Sequence, residues 1–559
     1  MINEKLDKYQ NKSEREAGAH SAKAFMPLMF ALVLLLGILI GGAINGSGNS
    51  WFSFKSKSSS NPSKLVSVIN FIEDHYVDSV QKEKLIDNAI ASMLQDLDPH
   101  SYYISADELA AFTEPLEGAF DGIGVEFLIQ RDSLFVVRTI AGGPSAKAGI
   151  KAGDRIVKVD DRDITGATIN SESVTKQLKG PSGTKVKVSV MRRGESQLLD
   201  FMLERDGIPI ESVSASFLVN PETGYVKLER FAKPTYPEFM KAVHQLKDQG
   251  AKKLVIDLRG NGGGYMEPAT KIIEEFLTPD KLIVYTEGVH QKKDETRSTK
   301  NGLLRDMEVV VIIDQNSASA SEIVAGALQD WDRSITVGRR SFGKGLVQHE
   351  QMLKDKSAIR LTVARYYTPT GRCIQKPYGD TINYSADEHD RLLNGELLTD
   401  TNIRFSDSLK FTTPGGRTVY GGGGIMPDVF VPLDSLFFDS KLLRLSSGSL
   451  LRDFAFNYVD ENRARLERDY TEEQMVKNFL IDDSIISKFL AAAKDRGVTY
   501  SGADVIPFEA ELKLRIKSQI ARNLFGDKAQ QQILLSKDDD FSKALEVFGN
   551  FDGYVLRPR

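Results

Sequence analysis

Three serines alternate with alanines just ahead of an apolar segment that is typical of a helix. The stretch covers residues 316–330 and reads NSASASEIVAGALQD, which places hydroxyls at Ser317, Ser319 and Ser321. Hydroxyls in this position can cap the start of a helix, but a serine also becomes a nucleophile when a base removes its proton. A catalytic role for one of these serines therefore requires a base elsewhere in the chain.

The segment SFGKGLVQ supplies one candidate base, Lys344, which lies between two glycines. Phe342 and Leu346 can desolvate its amine, and burial lowers the pKa of a lysine because the ammonium loses its hydration. His349 is the competing base. If this stretch is a strand, Gln348 and His349 point to opposite faces, and Gln348 can orient Lys344 through its side-chain amide. This geometry favours Lys344 with Gln348 over His349.

The chain lacks the sequence features of several other kinds of site. The chain contains neither the G-x-S-x-G nucleophile motif nor the H-E-x-x-H motif of zinc proteases. Its single cysteine, Cys373, excludes an intramolecular disulfide and a cysteine-based zinc cluster. The formal net charge of -5 shows no basic excess that would indicate nucleic acid as a partner. We therefore expect hydrolysis without a cofactor or a metal.

The chain is long enough for three or four domains, and its N-terminal part contains an uncharged apolar segment. It has 559 residues, of which 41% are hydrophobic and 27% charged. Residues 24–44 read AFMPLMFALVLLLGILIGGAI, carry no charge and are about long enough to cross a bilayer. A cleaved signal segment is the alternative, but no clear A-x-A site follows, which favours an uncleaved transmembrane anchor.

The anchor predicts a single-pass protein of the cell membrane. Residues 1–23 would form a cytoplasmic tail and residues 45–63 a polar linker, with the catalytic part on the periplasmic side. Residues 64–117 place apolar residues at spacings of three and four, which is typical of helices, and the sequence DPHS at residues 98–101 breaks this pattern. They predict a helical cap or a dimerising arm, so a homo-oligomer is possible.

Residues 118–205 change to short β-rich runs and resemble a PDZ domain more than a generic β-barrel module. The resemblance rests on GIGVEF at residues 122–127 and on the downstream AGIKAGDRIVKVD. It implies that the backbone amides of Gly122, Ile123, Gly124 and Val125 hold the C-terminal carboxylate of a peptide, which adds a strand to the sheet. The expected partners are proteins or peptides with accessible C-termini.

Strands and helices alternate through residues 206–434, which predicts an α/β domain with a mostly parallel sheet. The buried strands AKKLVIDLRG and EVVVIIDQN are each followed by a polar loop, RGNGGG and NSASAS. Catalytic loops in such sheets lie beyond the carboxyl ends of the strands. Residues 435–559 are again mostly helical and lack a catalytic constellation, so they predict a docking or assembly domain.

Across roughly residues 65–433 the chain resembles the C-terminal processing peptidases, or tail-specific proteases. The motifs that carry the resemblance occur in the family's order: YVDSV, LDPHS, GIGVEF, AGIKAGDRI, IDLRGNGGG, NSASASEIVAGALQD, SFGKGLVQ, RYYTPTGRCIQ and GGGIMPD. The resemblance implies a multidomain α+β protein. A membrane helix and a helical cap precede a β-barrel-like PDZ domain, an α/β protease core of the crotonase and Clp-protease type, and a C-terminal helical domain.

The same resemblance implies the catalytic roles. Ser319 is the nucleophile, Lys344 is the general base and Gln348 supports the base, while Asp330 has either a minor or a structural part. Ser317 and Ser321 are then expected to shape the turn and cap the helix.

The oxyanion hole is expected from the loops on either side of the nucleophile. The amide of Ala320, at the start of a helix, and the amide of Gly263 or Gly264 are the expected donors. Glycine at residues 263 and 264 lets the backbone of this loop come close to the oxyanion, because it has no side chain.

Two functions fit the sequence. The first is a membrane-anchored serine endopeptidase that recognises protein C-termini through its PDZ domain and hydrolyses peptide bonds with a Ser/Lys dyad supported by Gln. The alternative is a non-catalytic PDZ adaptor on a degenerate protease fold. The intact set of Ser319, Lys344 and Gln348 favours the enzyme.

Overall fold

The computed structural model describes residues 62–554, except residues 167, 380–381, 404–405 and 447. The predicted cytoplasmic tail and transmembrane anchor, and nearly all of the predicted linker, therefore lie outside the described residues. In the described part of the chain, no helix is long and apolar enough to cross a membrane. The chain divides after Leu85 into two units, and the second begins at Ile86.

The helices and strands follow the order that the sequence predicts, with a helical start, a β-rich part, an α/β part and a helical end. The helices are α1 Pro62–His75, α2 Lys82–Gln95, α3 Ala106–Glu117, α4 Pro144–Ala148, α5 Ser171–Leu178, α6 Thr235–Asp248, α7 Met266–Glu274, α8 Ala320–Asp330, α9 Asp387–Leu393, α10 Ser440–Ser446, α11 Leu450–Asp469, α12 Glu472–Asn478, α13 Asp483–Lys494, α14 Gly502–Val505, α15 Glu509–Phe525, α16 Asp527–Leu535, α17 Asp539–Val547 and α18 Phe551–Tyr554. The strands are β1 Tyr102–Ile104, β2 Ala119–Gly122, β3 Val125–Gln130, β4 Ser133–Thr139, β5 Arg155–Val159, β6 Arg162–Asp163, β7 Lys185–Met191, β8 Leu199–Glu204, β9 Asp206–Pro209, β10 Val213–Asn220, β11 Thr223–Leu228, β12 Lys253–Asp257, β13 Leu282–Glu287, β14 Asp294–Arg297, β15 Glu308–Ile313, β16 Ser334–Gly338, β17 Leu346–Met352, β18 Ala358–Tyr367, β19 Lys410–Thr412, β20 Thr418–Tyr420 and β21 Val429–Phe430.

The β-rich part is a six-stranded antiparallel sheet with two short helices. Its strand order is β3-β4-β5-β7-β8, with β6 beside β5, so β3 is an edge strand of this sheet. Val174 and Leu178 of α5 share a core with Ile123, which precedes β3, and with Val125 and other residues of the sheet. The helix α5 therefore packs beside the segment that leads into β3.

A second six-stranded sheet, β10-β11-β12-β15-β16-β21, forms the centre of the α/β part. Its neighbouring strands are parallel except for the antiparallel pair β10 and β11. The apolar runs of β12 and β15 are buried almost throughout, as expected for strands that are covered on both faces. This confirms the predicted α/β architecture.

The two faces of this sheet are covered by different parts of the chain. Helices α6, α7 and α8 contribute to the core on one face. On the other face, Phe541 and Val547 of α17 and Phe551 of α18 pack in one core with Val255 and Val310 of the sheet. The sequence placed these helices in a separate domain at residues 435–559. That boundary is wrong for α17 and α18, which complete the α/β layers.

The predicted helical cap also contributes to the α/β part. The strand β1, just after the DPHS stretch, pairs with β18, and β18 in turn pairs with β13 and β17. The predicted helical cap at residues 64–117 therefore also contains a strand, β1, which the helical pattern did not indicate. Because β17 begins two residues after Lys344, β1 and β18 help to form the wall in which the candidate base lies.

The helices α10 to α16 have a hydrophobic core of their own, which includes Phe489 and Ile516. They dock onto the β-rich part of the same chain. Glu126 of β3 pairs with Arg522 at 2.6 Å, and Arg138 of β4 pairs with Asp527 at 2.8 Å. These ion pairs join the C-terminal helices to the β-rich part, and the predicted docking or assembly role of residues 435–559 stays a prediction.

Candidate active site

A cleft of about 560 Å³ collects most of the residues that the sequence assigned to catalysis and to the oxyanion hole. Its lining includes Ser319, Lys344, Gln348, Gly263 and Gly264. Topology explains this convergence. The glycines follow β12 and the serine follows β15, and these strands are parallel neighbours, so both loops leave the same edge of the sheet.

Ser319 has a backbone conformation that L-residues rarely adopt, with φ 56° and ψ −114°. It is the residue immediately before α8, and its own amide donates to Glu322 Oε2 at 2.8 Å. Strained backbone of this kind clusters at functional sites, and a sharp turn before a helix exposes a nucleophile. The amide of Ala320, the next residue, has no acceptor among the described residues. It is free to donate to a group in front of Ser319.

Two buried side chains tie the backbone of Ser319 to the backbone of Lys344. Glu322 Oε2 accepts hydrogen bonds from the amides of both residues, at 2.8 Å each. The hydroxyl of Tyr366 lies 2.6 Å from the carbonyl oxygen of Lys344 and 3.2 Å from that of Ser319. The separation of the two loops is therefore set from both sides. Sequence reasoning missed both residues, although Glu322 follows the serines directly.

Glu322 is fully buried, and its other oxygen also accepts two hydrogen bonds. Oε1 accepts from the hydroxyl of Ser341 at 2.6 Å and from the amide of Gly343 at 2.7 Å. Burial raises the pKa of Glu322 to about 7, while its four donors favour the ionised carboxylate. Only a carboxylate offers acceptors to four donors at once, so this residue is well suited to hold both loops.

Lys344 lies partly buried in the wall of the cleft. Burial lowers the pKa of its ammonium group, and the nearby guanidinium of Arg360 lowers it further. Glu322 and Asp98 oppose this shift. Within the part of the chain that the structure describes, neither an ion pair nor a hydrogen bond engages Lys344 Nζ. These surroundings favour the neutral amine that a general base requires.

Gln348 lines the cleft but is not bonded to Lys344. Its Nε2 donates to Thr362 Oγ1 at 3.4 Å, and the pairing of β17 with β18 shifts between Val347 and Gln348. The predicted direct contact between Gln348 and Lys344 is therefore wrong in this structure. The irregularity also weakens the argument from alternating faces, because the exposed His349 lines the same cleft.

The DPHS stretch, interpreted from sequence only as a helix break, contributes to the surroundings of Lys344. Asp98 Oδ1 accepts from Thr362 Oγ1 at 3.0 Å, so Thr362 bridges Asp98 and Gln348. Burial, followed by the charge of Lys344, lowers the pKa of His100 to about 4. The fold thus brings a second histidine, His100, near the base, in addition to His349. The signal that could have found it is the cluster of polar residues at the end of a helix.

Gly263 and Gly264 pass so close to other backbone that no side chain fits. A Cβ atom at Gly263 would lie 2.8 Å from Ser319 Cβ, and one at Gly264 would lie 2.2 Å from the carbonyl oxygen of Phe231. The Gly263 amide already donates to Asn261 Oδ1 at 2.9 Å. The Gly264 amide has no acceptor in the described chain. Of the two oxyanion donors predicted in this loop, only the Gly264 amide is therefore available, because the Gly263 amide already has an acceptor.

Ser317 and Ser321 stabilise the turn that contains Ser319. Ser317 Oγ donates to the carbonyl of Leu258 at 2.8 Å, which confirms its predicted structural part. Ser321 lies inside the first turn of α8 and donates to the carbonyl of Asn261 at 2.8 Å. Its predicted capping role is wrong, because Ser319 occupies the N-cap position.

Asp330, at the other end of α8, has a structural part. Its carboxylate pairs with Arg372 at 2.7 Å and accepts from the amide of Thr370 at 2.9 Å, and it does not line the cleft.

The loop predicted to bind a carboxylate lies between β2 and β3. Gly122, Ile123 and Gly124 are buried, and the carbonyls of Ile123 and Gly124 accept from the amides of Ser145 and Ile140 at 3.0 and 2.9 Å. The loop is thus held from behind by its carbonyls. Val125 begins the edge strand β3, where a peptide could add a further strand.

A cation that the sequence reasoning missed lies beside this loop. The Cγ of Lys179, just after α5, is 3.9 Å from where a Cβ of Gly122 would lie. Its ammonium lies 4.6 Å from the ring centroid of Phe120 and pairs with Glu114 of α3. A positive charge at this place suits the recognition of a terminal carboxylate.

Comparison with protein families divides the chain into four matched regions. Residues 222–383 match the model of peptidase family S41, and residues 122–203 match a PDZ domain. Residues 39–108 match the N-terminal domain of the activating protease CtpB, and residues 442–526 match a family of unknown function.

Individual relatives agree with these matches. The carboxy-terminal-processing protease of Bartonella bacilliformis is 39% identical over 309 residues, which are 54% of this chain and 70% of the relative. The carboxy-terminal processing protease CtpA of Bacillus subtilis is 33% identical over 353 residues, which are 62% of this chain and 75% of the relative. Among solved structures, a photosystem II D1 C-terminal processing protease is 28% identical, with a TM-score of 0.32 over 56% of this chain and 89% of that chain.

Both curated relatives are more than 30% identical to this chain over the matched residues, and the match covers more than two thirds of each relative's own length. The chain therefore belongs to the carboxy-terminal processing proteases of peptidase family S41.

Proposed function

We propose that this protease is a membrane-anchored endopeptidase in which Ser319 attacks the peptide bond and Lys344 accepts its proton. The observation that carries the proposal is the cross-linked pair of loops in the cleft. Glu322 accepts from the amides of Ser319 and Lys344, and the Tyr366 hydroxyl lies within hydrogen-bond distance of both carbonyl oxygens. The Lys344 ammonium, which has no partner among the described residues, has a lowered pKa. A nucleophile and a base held at a fixed separation are what acyl transfer needs.

The reaction follows from these positions. Neutral Lys344 takes the hydroxyl proton as Ser319 Oγ bonds to the substrate carbonyl carbon, and the amides of Ala320 and Gly264 stabilise the oxyanion. When the carbon–nitrogen bond breaks, the Lys344 ammonium returns the proton to the leaving amine. Water then hydrolyses the acyl-enzyme with Lys344 again as the base. Gln348 supports the base through Thr362, which also bonds to Asp98.

The PDZ domain is proposed to select the substrate by its C-terminus. The loop at residues 122–125 offers main-chain donors, the edge strand β3 offers a pairing partner, and Lys179 offers a positive charge. Because the contact is mainly with backbone, the tail is selected loosely and bound with modest affinity.

The first prediction concerns the substrate tail. An unfolded protein with a free, apolar C-terminus should be degraded faster, by about 10-fold at subsaturating concentration, than the same protein with a charged or an amidated tail. A charged residue loses the apolar contact, and an amide loses the terminal charge. The measurement is the initial rate of degradation, and Ser319→Ala should abolish it for all three tails.

Two lysines at the C-terminal end of α5, Lys176 within the helix and Lys179 just after it, give the control. Lys179→Gln should reduce the discrimination between the free and the amidated tail. Lys176→Gln changes an exposed lysine that pairs with Glu172 on the same helix, and it should leave the discrimination unchanged. Equal rates for the three tails in the wild type would show that this loop does not read C-termini.

The alternative of a non-catalytic PDZ adaptor makes the opposite prediction for Ser319→Ala. An adaptor would bind tails equally well in the wild type and in the variant, and neither would hydrolyse the substrate. Loss of hydrolysis with retained binding in the variant favours the enzyme.

The second prediction concerns the anchor at residues 24–44, which read as one uncharged apolar run. The mature protein should sediment with membranes and remain there after extraction with high salt, because an apolar span of this length partitions into the bilayer. N-terminal sequencing of the purified protein gives the control. A soluble species that starts just after this run would contradict the anchor.

A further inference from the structure

A buried network of charges joins the C-terminal helix α17 to the loop behind the candidate oxyanion donor. Arg259 Nη1 lies 2.7 Å from Asp538 Oδ2 and 3.1 Å from Asp540 Oδ2. On the other side, Arg259 pairs with Asp257 at 2.7 Å, and Lys227 pairs with Asp257 at 3.3 Å. The side chains of these five residues are between 0 and 20% exposed.

The positive and negative charges of this network are equal in number, and they come from the sheet strands with their loops and from the start of α17. Arg339 also pairs with Asp540, at 2.9 Å, so three cations meet the three carboxylates of Asp257, Asp538 and Asp540. Removing one partner of a buried ion pair leaves an uncompensated charge, and the remaining partner must then move or be hydrated. The geometry of Arg259 therefore depends on carboxylates that lie 279 and 281 residues further along the chain.

Arg259 lies two residues beyond the end of β12, in the loop that presents Gly264. Its amide donates to Asp257 Oδ1 at 3.0 Å, and its carbonyl oxygen accepts from Lys227. The next amide, that of Gly260, donates to Asp314 Oδ1 at 3.0 Å. Both the side chain and the backbone of Arg259 are thus fixed at the point where the chain leaves β12 for the active-site glycines.

The helix α17 is well placed to hold this point. Its apolar side packs against the sheet through Phe541, Ala544 and Val547, so its N-terminal turn has a defined position. Asp538 is the N-cap of the helix, and its Oδ1 also accepts from the amide of Phe541 at 2.9 Å. The same carboxylate thus starts the helix and holds Arg259.

We propose that Asp538 and Asp540 are positioning residues of the active site, which act through Arg259 on the loop that carries the Gly264 amide. The C-terminal helices are then a working part of the protease and not an appended module. The proposal rests on the proposed function, because it assumes that the Gly264 amide stabilises the oxyanion. An oxyanion donor acts on the transition state, so its displacement lowers kcat and leaves KM nearly unchanged.

The test uses Asp538→Asn in the full chain. Asparagine caps a helix about as well as aspartate, so α17 keeps its start while Arg259 loses a charged partner. Steady-state hydrolysis of a fluorogenic peptide should show kcat lowered by roughly 10-fold or more, with KM within about twofold of the wild type. Asp539→Asn makes the same chemical change one residue later, at an exposed position, and should leave both constants unchanged.

A third variant separates positioning from stability. Val547→Ala removes buried apolar contacts at the other end of α17 and should lower the melting temperature without lowering kcat below that transition. The proposal is overturned if Asp538→Asn leaves kcat at the wild-type value, or if Val547→Ala lowers kcat as much at the same folded fraction. If wild type and Ser319→Ala hydrolyse the peptide equally, the proposed function fails first, and that result is distinct from the other two.

Discussion

Replacing Lys344 by arginine is expected to abolish peptide hydrolysis. Arginine keeps the positive charge and much of the length of lysine, but its guanidinium is not deprotonated near neutral pH and cannot accept the serine proton. Removal of one member of a catalytic set costs about 10⁴-fold or more in kcat, and we expect a loss of this order. The measurement is the initial rate on an unfolded protein, with His349→Ala as the control that should keep most of the activity.

The pH dependence of the wild type tests the same assignment. The active form is the neutral amine, so kcat/KM should rise with pH through the pKa of Lys344, which burial and then Arg360 hold below 10.5. Arg360→Gln removes one of these influences, so the rising limb should move to higher pH. Near-normal turnover in Lys344→Arg, or a loss in His349→Ala as deep as that in Ser319→Ala, would restore histidine as the base.

Glu322→Gln is expected to lower kcat by about 100-fold although residue 322 does not take part in proton transfer. The carboxylate accepts four hydrogen bonds, among them those from the amides of Ser319 and Lys344. Glutamine replaces one acceptor oxygen by a donor, so two buried donors lose their partner at a cost of about 1–3 kcal/mol each. One of the two loops must then move, and the separation of nucleophile and base changes. The measurement is kcat on the fluorogenic peptide.

The control is Ser341→Ala, which removes a single donor to Glu322 and should have a much smaller effect on kcat. Stability gives a second readout with a defined sign. Burial raises the pKa of Glu322 from 4.5 to about 7, so the stability that Glu322 contributes is fully present below pH 4.5 and is lost as pH rises through 7. The free energy of unfolding of Glu322→Gln should lack this dependence. Wild-type kcat in this variant would show that Glu322 does not hold the loops.

Much of the fold and the centre of the site could be predicted from the sequence. The continuous apolar runs of β12 and β15 indicated parallel, doubly covered strands, and the structure has them as parallel neighbours. Parallel neighbours end at the same edge, so the glycine loop and the serine loop had to meet. The closeness of Gly264 to the Phe231 carbonyl explains why glycine stands there.

The parts that sequence reasoning missed depend on residues far apart in the chain. Asp98 and His100 lie more than 240 residues before Lys344, and Asp538 lies 279 residues after Arg259. The contact of Gln348 with Thr362 depends on an irregularity in the pairing of β17 with β18. The local periodicity of the sequence cannot predict such contacts, because they form only when distant strands and helices pack together.

The sequence by itself determined which residues could act as nucleophile, base and oxyanion donor. A serine hydroxyl can attack a carbonyl carbon, a lysine amine can accept a proton, and a glycine backbone can come close to another group, and these abilities belong to the residue types themselves. It also determined the order of the helical, β-rich and α/β parts, because burial repeats with the period of each element. Only the tertiary structure decided which glycine amide is left without an acceptor in the described chain, which side chains hold the two loops together and which helices cover the second face of the sheet. These depend on hydrogen bonds and ion pairs between distant residues, whose strength comes from burial that the folded chain alone creates.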